Sequence, residues 1–180
     1  MMSDDIESIL FTEERLKARI SELGAELSRD YADKNPMFVG VLKGCFVFMA
    51  DLMRSVDIRC TMDFMAVSSY GSGTKTTGAV EINKDLSHDI AGRHVIIVED
   101  ILDSGVTLSY LTKYLSGRLP ASIKIVTLLD KPLRRRADIK ADYSGFEVPD
   151  AFVVGYGLDY DEVYRNLPYI GILKPEVYTK

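Results

Sequence analysis

The sequence is poor in cysteine, and its cysteines show no pattern that builds a site. Cys45 and Cys60 have neither CxxC spacing nor histidine pairs nearby, which argues against a disulfide framework and against a zinc site. Cys45 lies in the apolar run CFVFMADLM, which favours a small buried hydrophobic residue over a nucleophile. Two isolated cysteines are typical of a reducing compartment, so we expect a cytoplasmic protein.

The sequence also lacks long apolar runs and an excess of basic residues. No segment offers the roughly 18 uninterrupted apolar residues of a membrane-spanning helix, and the first residues, MMSDDIES, carry acids where a signal peptide carries bases. The 22 Lys and Arg residues stand against 27 Asp and Glu residues, a net charge of −5. Because no general positive field exists to hold a polyanion, we expect neither nucleic-acid binding nor membrane binding.

The composition that remains is that of an ordinary globular protein. Hydrophobic residues make up 47% of the chain and charged residues 27%, which decides against a disordered chain. Since a domain typically takes roughly 100 to 200 residues, a length of 180 residues predicts one domain, 1–180.

Strand and helix patterns alternate along the chain. Apolar residues recur at helical spacing from Leu16 to Leu27 after the capping residue Thr12, which predicts an amphipathic helix. The run HVIIV, 94–98, is apolar without alternation, as expected for a central parallel strand covered on both faces. This alternation predicts an α/β fold. The other expected strands lie near 37–44, 61–70, 80–83, 122–129, 151–155 and 169–173, and the other expected helices near 45–56 and 104–116.

The most informative segment is VIIVEDILDSGVT, 95–107, which leads from a buried strand through carboxylates into a turn of small residues. In open α/β sheets, ligands bind beyond the carboxyl ends of the strands, where a helix N-terminus presents unpaired N–H groups. Ser104, Gly105 and Thr107 suit a phosphate there, because glycine allows close backbone approach and hydroxyls add hydrogen bonds. This composition indicates a phosphate-binding turn.

Carboxylates precede this turn and require their own explanation. Glu99 and Asp100 could bind sugar hydroxyls or a divalent cation. The alternative is an N-cap cluster at an ordinary strand-to-helix turn. That alternative explains Asp103 or Ser104 alone, but it accounts poorly for an acid pair directly after an apolar strand.

This segment closely resembles the phosphoribosyl-pyrophosphate binding motif of type I phosphoribosyltransferases. Further segments resemble the remaining motifs of the hypoxanthine-guanine branch of that family, in the same order and over nearly the whole chain. They are LKG at 42–44, SSYG at 68–71, LLDK at 128–131 and FVVGYGLDYDEVYRNLPYIG at 152–171. The resemblance implies an α/β type I phosphoribosyltransferase fold, a mostly parallel central sheet flanked by helices, with a small hood from the chain ends.

The resemblance also implies an activity, purine salvage. A 6-oxopurine, hypoxanthine or guanine, would react with phosphoribosyl pyrophosphate to give IMP or GMP plus pyrophosphate. Magnesium would be the cofactor, and both substrates would be small molecules. The protein would form a homodimer or a homotetramer. The ranking of hypoxanthine, guanine and xanthine is left open.

Within the phosphoribosyl-pyrophosphate motif, the resemblance assigns a role to each position. Glu99 and Asp100 match the pair that reaches the ribose hydroxyls and the associated magnesium. Asp103 matches the general acid/base that exchanges a proton with purine N7. The residues 103–107 match the 5′-phosphate turn, and Val106 there occupies a position where some members have lysine. Phosphate binding would therefore rely on backbone and hydroxyl groups.

On the pyrophosphate side, Lys43 and Gly44 match a loop whose backbone amides face the leaving group across an unusual cis peptide before the lysine. From LKG alone, a plain strand-end turn is the better interpretation. Ser69 and Tyr70 match the tip of the flexible loop that closes over the reaction. Arg165 matches the residue that meets pyrophosphate, for which a planar charged fork is suited.

On the base side, Lys131 matches the lysine that donates to the purine 6-oxygen. By itself, a lysine after LLD is more typical of a solvated strand end. Phe152 matches the residue that stacks on the base, and Val153 offers backbone groups to its edge. Asp159, at the same end of the site, matches a ligand of the second magnesium ion. We interpret the arginines 134–136 as a solvated face.

Functions from other classes are weaker. A non-catalytic member of the fold could sense phosphoribosyl pyrophosphate and regulate through nucleic acid, but the acidic composition and the presence of Asp103 disfavour it. A nicotinamide-linked dehydrogenase would need a glycine fingerprint that this sequence lacks.

Overall fold

The strands and helices follow the predicted alternation, in a computed structural model that describes residues 1–69 and 80–179. The strands of the described part are β1 (Ile6–Phe11), β2 (Met37–Leu42), β3 (Thr61–Ser69), β4 (Val80–Lys84), β5 (His94–Leu102), β6 (Ser122–Asp130), β7 (Tyr143–Glu147), β8 (Val153–Val154) and β9 (Ile170–Leu173). The α-helices are α1 (Glu13–Asp30), α2 (Phe46–Ser55), α3 (Val106–Ser116) and α4 (Pro175–Tyr178), and 3₁₀-helices occur at Met2–Asp5 and Pro132–Arg134. Among these helices, none is both long and apolar enough to cross a membrane.

The main sheet has six strands in the order β4-β3-β2-β5-β6-β7. All neighbouring pairs are parallel except β3 and β4, which are antiparallel and place β4 at one edge. Strand β5 lies between β2 and β6, so the prediction of a central parallel strand is confirmed. The predicted mostly parallel α/β sheet is confirmed with it.

Helices cover both faces of β5, and its side chains alternate between two cores. Ile96 and Val98 belong to a core that includes the buried faces of α1 and α2. Val95 and Ile97 belong to a second core that includes the buried face of α3. A strand covered in this way needs no polar face, which explains why its sequence is uniformly apolar.

Helix α1 forms as its sequence pattern predicts. The Thr12 hydroxyl accepts a hydrogen bond from the Arg15 amide at 3.4 Å, which caps the first turn. The apolar stripe from Leu16 to Leu27 is buried. Helix α1 packs closely on α2 at Gly24. A Cβ built on this residue would lie 2.4 Å from the Ser55 carbonyl oxygen, so no larger side chain fits there.

A smaller sheet, β1-β9-β8, forms the hood from the two chain ends. Strand β1 pairs antiparallel with β9, and β9 pairs antiparallel with β8. The sequence did not predict β1 or β7, because most of their residues are exposed or half-buried and neither strand carries an apolar run longer than three residues. Pairing with an apolar partner strand, rather than local propensity, makes these two segments extended.

Candidate active site

A pocket of about 260 Å³ opens at the carboxyl ends of β2 and β5. It is the position at which parallel α/β sheets bind ligands. Its lining residues are Val41, Leu42, Val67, Glu99, Asp100, Ile101, Leu102, Asp103, Ser104, Gly105, Thr107 and Leu108. The structure therefore brings the predicted acids and the predicted phosphate turn to one pocket, whereas Val106 begins α3 and is exposed.

The turn requires glycine at position 105 for two reasons. Gly105 has a φ of +78°, in the left-handed region that side chains disfavour, and it is the N-cap of α3. A Cβ at this position would also lie 2.5 Å from Cγ2 of Ile139. The turn thus leads directly into a helix N-terminus, whose first amides are not paired within the helix.

Arg135 supports this turn from behind, so the interpretation of 134–136 as a solvated face is wrong for that residue. Its side chain is only 17% exposed and forms an ion pair with Asp130 at the end of β6. Its Nη1 donates to the carbonyl oxygens of Leu102 (3.2 Å) and Asp103 (3.1 Å). These partners come from two strands, and a run of three arginines gives no local signal of such contacts.

Glu99 and Asp100 are adjacent carboxyl groups near the end of β5. Burial raises the pKa of Glu99 well above its usual range, and the neighbouring Asp100 charge raises it further. Burial also raises the pKa of Asp100, although Oδ1 accepts a hydrogen bond from the Ile101 amide at 2.8 Å. The hydrogen bond between the two side chains acts in opposite directions, raising the pKa of Glu99 and lowering that of Asp100. A cation beside the pair would favour the ionised form of both carboxyl groups.

The backbone at Gly44 lies directly against this acid pair. The Leu42–Lys43 peptide is cis, as the resemblance implies. A Cβ built on Gly44 would lie 1.8 Å from Oδ2 of Asp100, and one built on Gly157 would lie 2.2 Å from the Gly44 carbonyl oxygen. Segments from β2, β5 and the loop after β8 therefore meet without intervening side chains.

Arg165 lies in the loop after β8 and has several partners. Its Nη1 donates to the Gly157 carbonyl oxygen at 2.8 Å, and its Nη2 lies 2.9 Å from Oδ1 of Asp159. Its Nε is buried without a hydrogen-bond partner in the described residues. Lys43 is exposed and bonds to Oε2 of Glu162 at 2.8 Å, a partner that the sequence did not indicate.

The three predicted metal ligands are not gathered into one centre. Within the described ranges, no group of three or more His, Cys, Asp or Glu side chains is arranged to hold a metal ion. Glu99 and Asp100 are together, whereas Asp159 already contacts Arg165 and accepts a hydrogen bond from the Glu162 amide at 2.9 Å. Asp159 thus belongs with the arginine that approaches the Gly44 loop.

Lys131 is buried, only 4% exposed, so the alternative of a solvated strand end is wrong. Its amide donates to the Leu102 carbonyl oxygen at 3.0 Å, and its ammonium group donates to the Ala151 carbonyl oxygen at 2.8 Å. A buried ammonium group needs such partners, and one carbonyl satisfies only one of its three donors.

The aromatic residue predicted to stack on the base is half-open to solvent. Phe152 is 36% exposed and stacks on Tyr178 of α4, with ring centroids 4.9 Å apart. Tyr160 meets it edge-on at 5.5 Å. Val153 is buried in β8 and pairs with Ile172.

The remaining positions have different outcomes. Ser69 is the last residue of β3, and Tyr70 lies outside the described residues. Cys45 is fully buried, and burial raises the pKa of its thiol, which fits the predicted structural role. Tyr156 is buried and also donates a hydrogen bond to Asp51 of α2.

Comparisons with known proteins agree with this geometry. Residues 8–161 match the family model described as a phosphoribosyl transferase domain. A hypoxanthine-guanine phosphoribosyltransferase of Bacillus subtilis (strain 168) is 60% identical over 178 residues, 99% of each chain. One from Streptococcus thermophilus (strain CNRZ 1066) is 53% identical over 180 residues, 100% of both chains. A crystal structure of a hypoxanthine phosphoribosyltransferase from Staphylococcus aureus superposes with a TM-score of 0.96 at 54% identity, covering 99% of this chain and 97% of that one. The chain belongs to the phosphoribosyltransferase family.

Proposed function

We propose that this protein transfers the phosphoribosyl group of phosphoribosyl pyrophosphate to hypoxanthine or guanine, which yields IMP or GMP and releases pyrophosphate. The observation that carries the proposal is the pocket at the end of β5, where buried acids lead into a left-handed glycine at the start of a helix. Such a turn binds a phosphate through amides, and acids beside it can hold a ribose. The 5′-phosphate would lie at 103–107.

Asp103 is the proposed general acid/base. As N9 of the purine bonds to the sugar carbon, N7 becomes acidic, and a carboxylate at the turn can accept its proton. Oδ1 of Asp103 is buried and accepts no hydrogen bond from the described residues, and Nε of Arg134, at 3.9 Å, is beyond hydrogen-bond distance, so this oxygen can serve that role. Arg135 fixes the carbonyl group of the same residue, which limits movement of the carboxylate.

The base would lie between the Lys131 region and the hood. The buried Lys131 would donate one of its remaining hydrogens to the 6-oxygen, and Phe152 would stack on the ring. Val153 would present backbone groups to the other edge of the base. This arrangement selects an acceptor at C6, since a buried lysine has donors only.

The leaving pyrophosphate would lie at the Gly44 loop. Gly44 has no side chain of its own, and its backbone lies against the Asp100 carboxylate on one side and Gly157 on the other. Lys43 and Arg165 bring positive charge to it, and the unpartnered Nε of Arg165 is a donor that an anion can satisfy. Ser69 and Tyr70 are proposed to belong to the loop that covers the reacting groups and excludes water.

The residues present fit magnesium. Glu99 and Asp100 would hold one magnesium ion and Asp159 the second, and these residues provide oxygen ligands only, which suits a hard cation. Burial raises the pKa of both Glu99 and Asp100, and a cation bound beside them would favour their ionised forms, which supports the proposal. A bound magnesium ion would offset the charge of the pyrophosphate and hold the ribose hydroxyls.

Two further properties are proposed with the activity. Both cysteines are free in the structure, which supports the proposed cytoplasmic location. A homodimer or homotetramer stays a prediction from the resemblance.

The experiment that tests the function compares hypoxanthine and adenine in an assay of pyrophosphate release. A site built around an acceptor at C6 should reject adenine by roughly 10⁴-fold or more, because the adenine amino group would face the Lys131 donor. Lys131→Ala should lose activity on 6-oxopurines, and the ratio of its activity on hypoxanthine to its activity on adenine should be smaller than in the wild type. Equal use of adenine by the wild type would contradict the role of Lys131. Binding of phosphoribosyl pyrophosphate without any turnover would favour the non-catalytic sensor instead.

A further inference from the structure

Side chains of alternating charge connect the two residues that would contact the purine. Nζ of Lys131 lies 3.9 Å from Oδ1 of Asp150. The same carboxylate oxygen lies 3.6 Å from Nε of Arg134. That Nε lies 3.9 Å from Oδ1 of Asp103. We propose that Arg134 and Asp150 are positioning residues, which set the spacing between Lys131 and Asp103. This inference rests on the proposed function.

The chemistry of the base explains why that spacing matters. N7 and the 6-oxygen are neighbouring atoms on one edge of the purine. Lys131 must reach the 6-oxygen while Asp103 reaches N7, so both contacts depend on a single distance between the two side chains. A misplacement of about 1 Å at a reacting group can reduce the rate by roughly 10²-fold. An ionic bridge between the two side chains restricts such a displacement.

The bridge joins side chains from segments that follow neighbouring strands of the main sheet, which pairs their backbones but does not orient their side chains. Asp103 follows β5, and Arg134 ends the 3₁₀-helix after β6. Asp150 lies in the segment before β8, beside Ala151, whose carbonyl oxygen accepts from Lys131 at 2.8 Å. Arg134 therefore contacts carboxylates from two different segments, one on the side of the phosphate turn and one on the side of the hood.

Because the bridge is exposed, it should matter for the position of the Lys131 and Asp103 side chains more than for the stability of the fold. The side chains of Arg134 and Asp150 are 51% and 56% exposed. Ion pairs at such sites contribute about 0 to 1 kcal/mol to folding, because water and salt screen them. Loss of either residue should therefore leave the fold intact and act on the orientation of the two contacts to the base.

The test uses Arg134→Ala, Asp150→Asn and the double variant in steady-state assays with hypoxanthine. Each single variant should lower kcat about 10-fold, with the KM for phosphoribosyl pyrophosphate within about twofold of the wild type. Because the two residues act through one bridge, the double variant should lose about as much as the worse single variant. Arg134→Lys, which keeps the charge but lacks the planar fork, should recover part of the loss.

Arg136→Ala is the matched control. Arg136 is exposed on the same segment, and in the described part of the chain its side chain makes no hydrogen bond or ion pair. This variant should retain wild-type kcat, and the melting temperature of every variant should stay within about 4 °C of the wild type.

Two results would overturn the proposal. One is a kcat within about twofold of the wild type in both single variants, and the other is a loss of about 100-fold in the double variant, which would show independent action. If Arg134→Ala unfolds, Arg134→Lys and Asp150→Asn decide the question in the same way. Absence of turnover in the wild type would be a failure of the proposed function instead.

Discussion

The turn after β5, 103–107, and the loop after β8, 155–165, which we propose to serve the same site, differ in backbone conformation. The turn contains one left-handed residue, Gly105, and continues into a regular helix. The loop places four residues other than glycine at positive φ, which costs about 1 to 3 kcal/mol each. They are Tyr156 (53°), Asp161 (49°), Glu162 (63°) and Tyr164 (77°).

Contacts from distant elements hold the loop in this conformation. Tyr156 bonds to Asp51 of α2, and Tyr164 bonds to Asp5 of the N-terminal 3₁₀-helix at 2.8 Å. The turn combines a favourable local conformation at one glycine with support from Arg135, whereas the loop depends on tertiary contacts to hold several unfavourable conformations. Changes in the turn should therefore affect chemistry, and changes beneath the loop should affect stability.

The largest effect is expected from Asp103→Asn, which tests the chemical role of the turn. The amide retains the shape of the carboxylate but cannot accept a proton, so kcat should fall by roughly 10²- to 10⁴-fold. Affinity for phosphoribosyl pyrophosphate should be mostly retained, since the turn itself is unchanged. Steady-state kinetics at neutral pH provide the measurement. Activity within about threefold of the wild type, roughly 0.7 kcal/mol, would remove Asp103 from the mechanism.

Gly44→Ala tests the point at which the two regions approach each other. The added Cβ would lie 1.8 Å from Oδ2 of Asp100, so the carboxylate or the loop must move. We expect kcat/KM to fall by about 10²-fold, the usual result of a 1 Å displacement near reacting groups. Gly117→Ala is the control, because its Cβ would meet only the Tyr114 carbonyl oxygen at an ordinary 3.4 Å. Equal kinetics of the two variants would mean that this contact has no catalytic role.

The same contrast explains how much could be predicted from the sequence. The segment 95–107 is continuous, and each step of its chemistry is local, so strand, acids and turn could be recognised together. Arg135 could not, because its partners are backbone atoms of β5 and a carboxylate of β6. Strand β1 could not, because pairing with β9 at the other end of the chain makes it extended.

The residues proposed to bind the base show most clearly what could not be predicted from the sequence. Lys131 and Phe152 carry no local signal of function, and a solvated lysine was the better interpretation from the residues alone. Only the resemblance assigned them roles. The burial of Lys131 depends on Ala151 and Leu102, which approach it through the sheet and the segment before β8.

Tyr156→Phe tests whether tertiary contacts stabilise the loop. Burial, with the hydrogen bond to Asp51, raises the pKa of Tyr156 well above its usual range. The unfolded chain loses this proton near pH 10, whereas the folded protein keeps it. The folded state then binds more protons, so stability is complete below about pH 10 and falls above it by about 1.4 kcal/mol per pH unit. Tyr156→Phe should lack the part of the loss of stability at alkaline pH that comes from this hydroxyl group.

Urea unfolding of the wild type and of Tyr156→Phe between about pH 9 and pH 11 measures how steeply the free energy of unfolding of each protein falls with pH. At neutral pH, Tyr156→Phe should be less stable by about 1 kcal/mol, the usual contribution of one hydrogen bond. Tyr110→Phe is the matched control, since the Tyr110 ring is exposed on α3. If wild type and Tyr156→Phe lose stability in parallel above pH 10, the contact with Asp51 does not hold the loop.

The smallest effect is expected from Val106→Lys, which tests whether the turn binds phosphate without side-chain charge. Val106 is exposed at the first position of α3. A lysine there should lower the KM for phosphoribosyl pyrophosphate about 2- to 5-fold at low salt, as an exposed ion pair contributes about 0.5 to 1 kcal/mol. The gain should disappear near 1 M salt, where the screening length is about 3 Å.

A positive charge also disfavours a helix N-terminus by about 0.3 to 1 kcal/mol, so the melting temperature should fall slightly. Val106→Met, similar in length but neutral, should show neither change. Since Asp103 is not touched, kcat should stay constant, and a KM that does not respond to the lysine at low salt would mean that the 5′-phosphate does not bind at this turn.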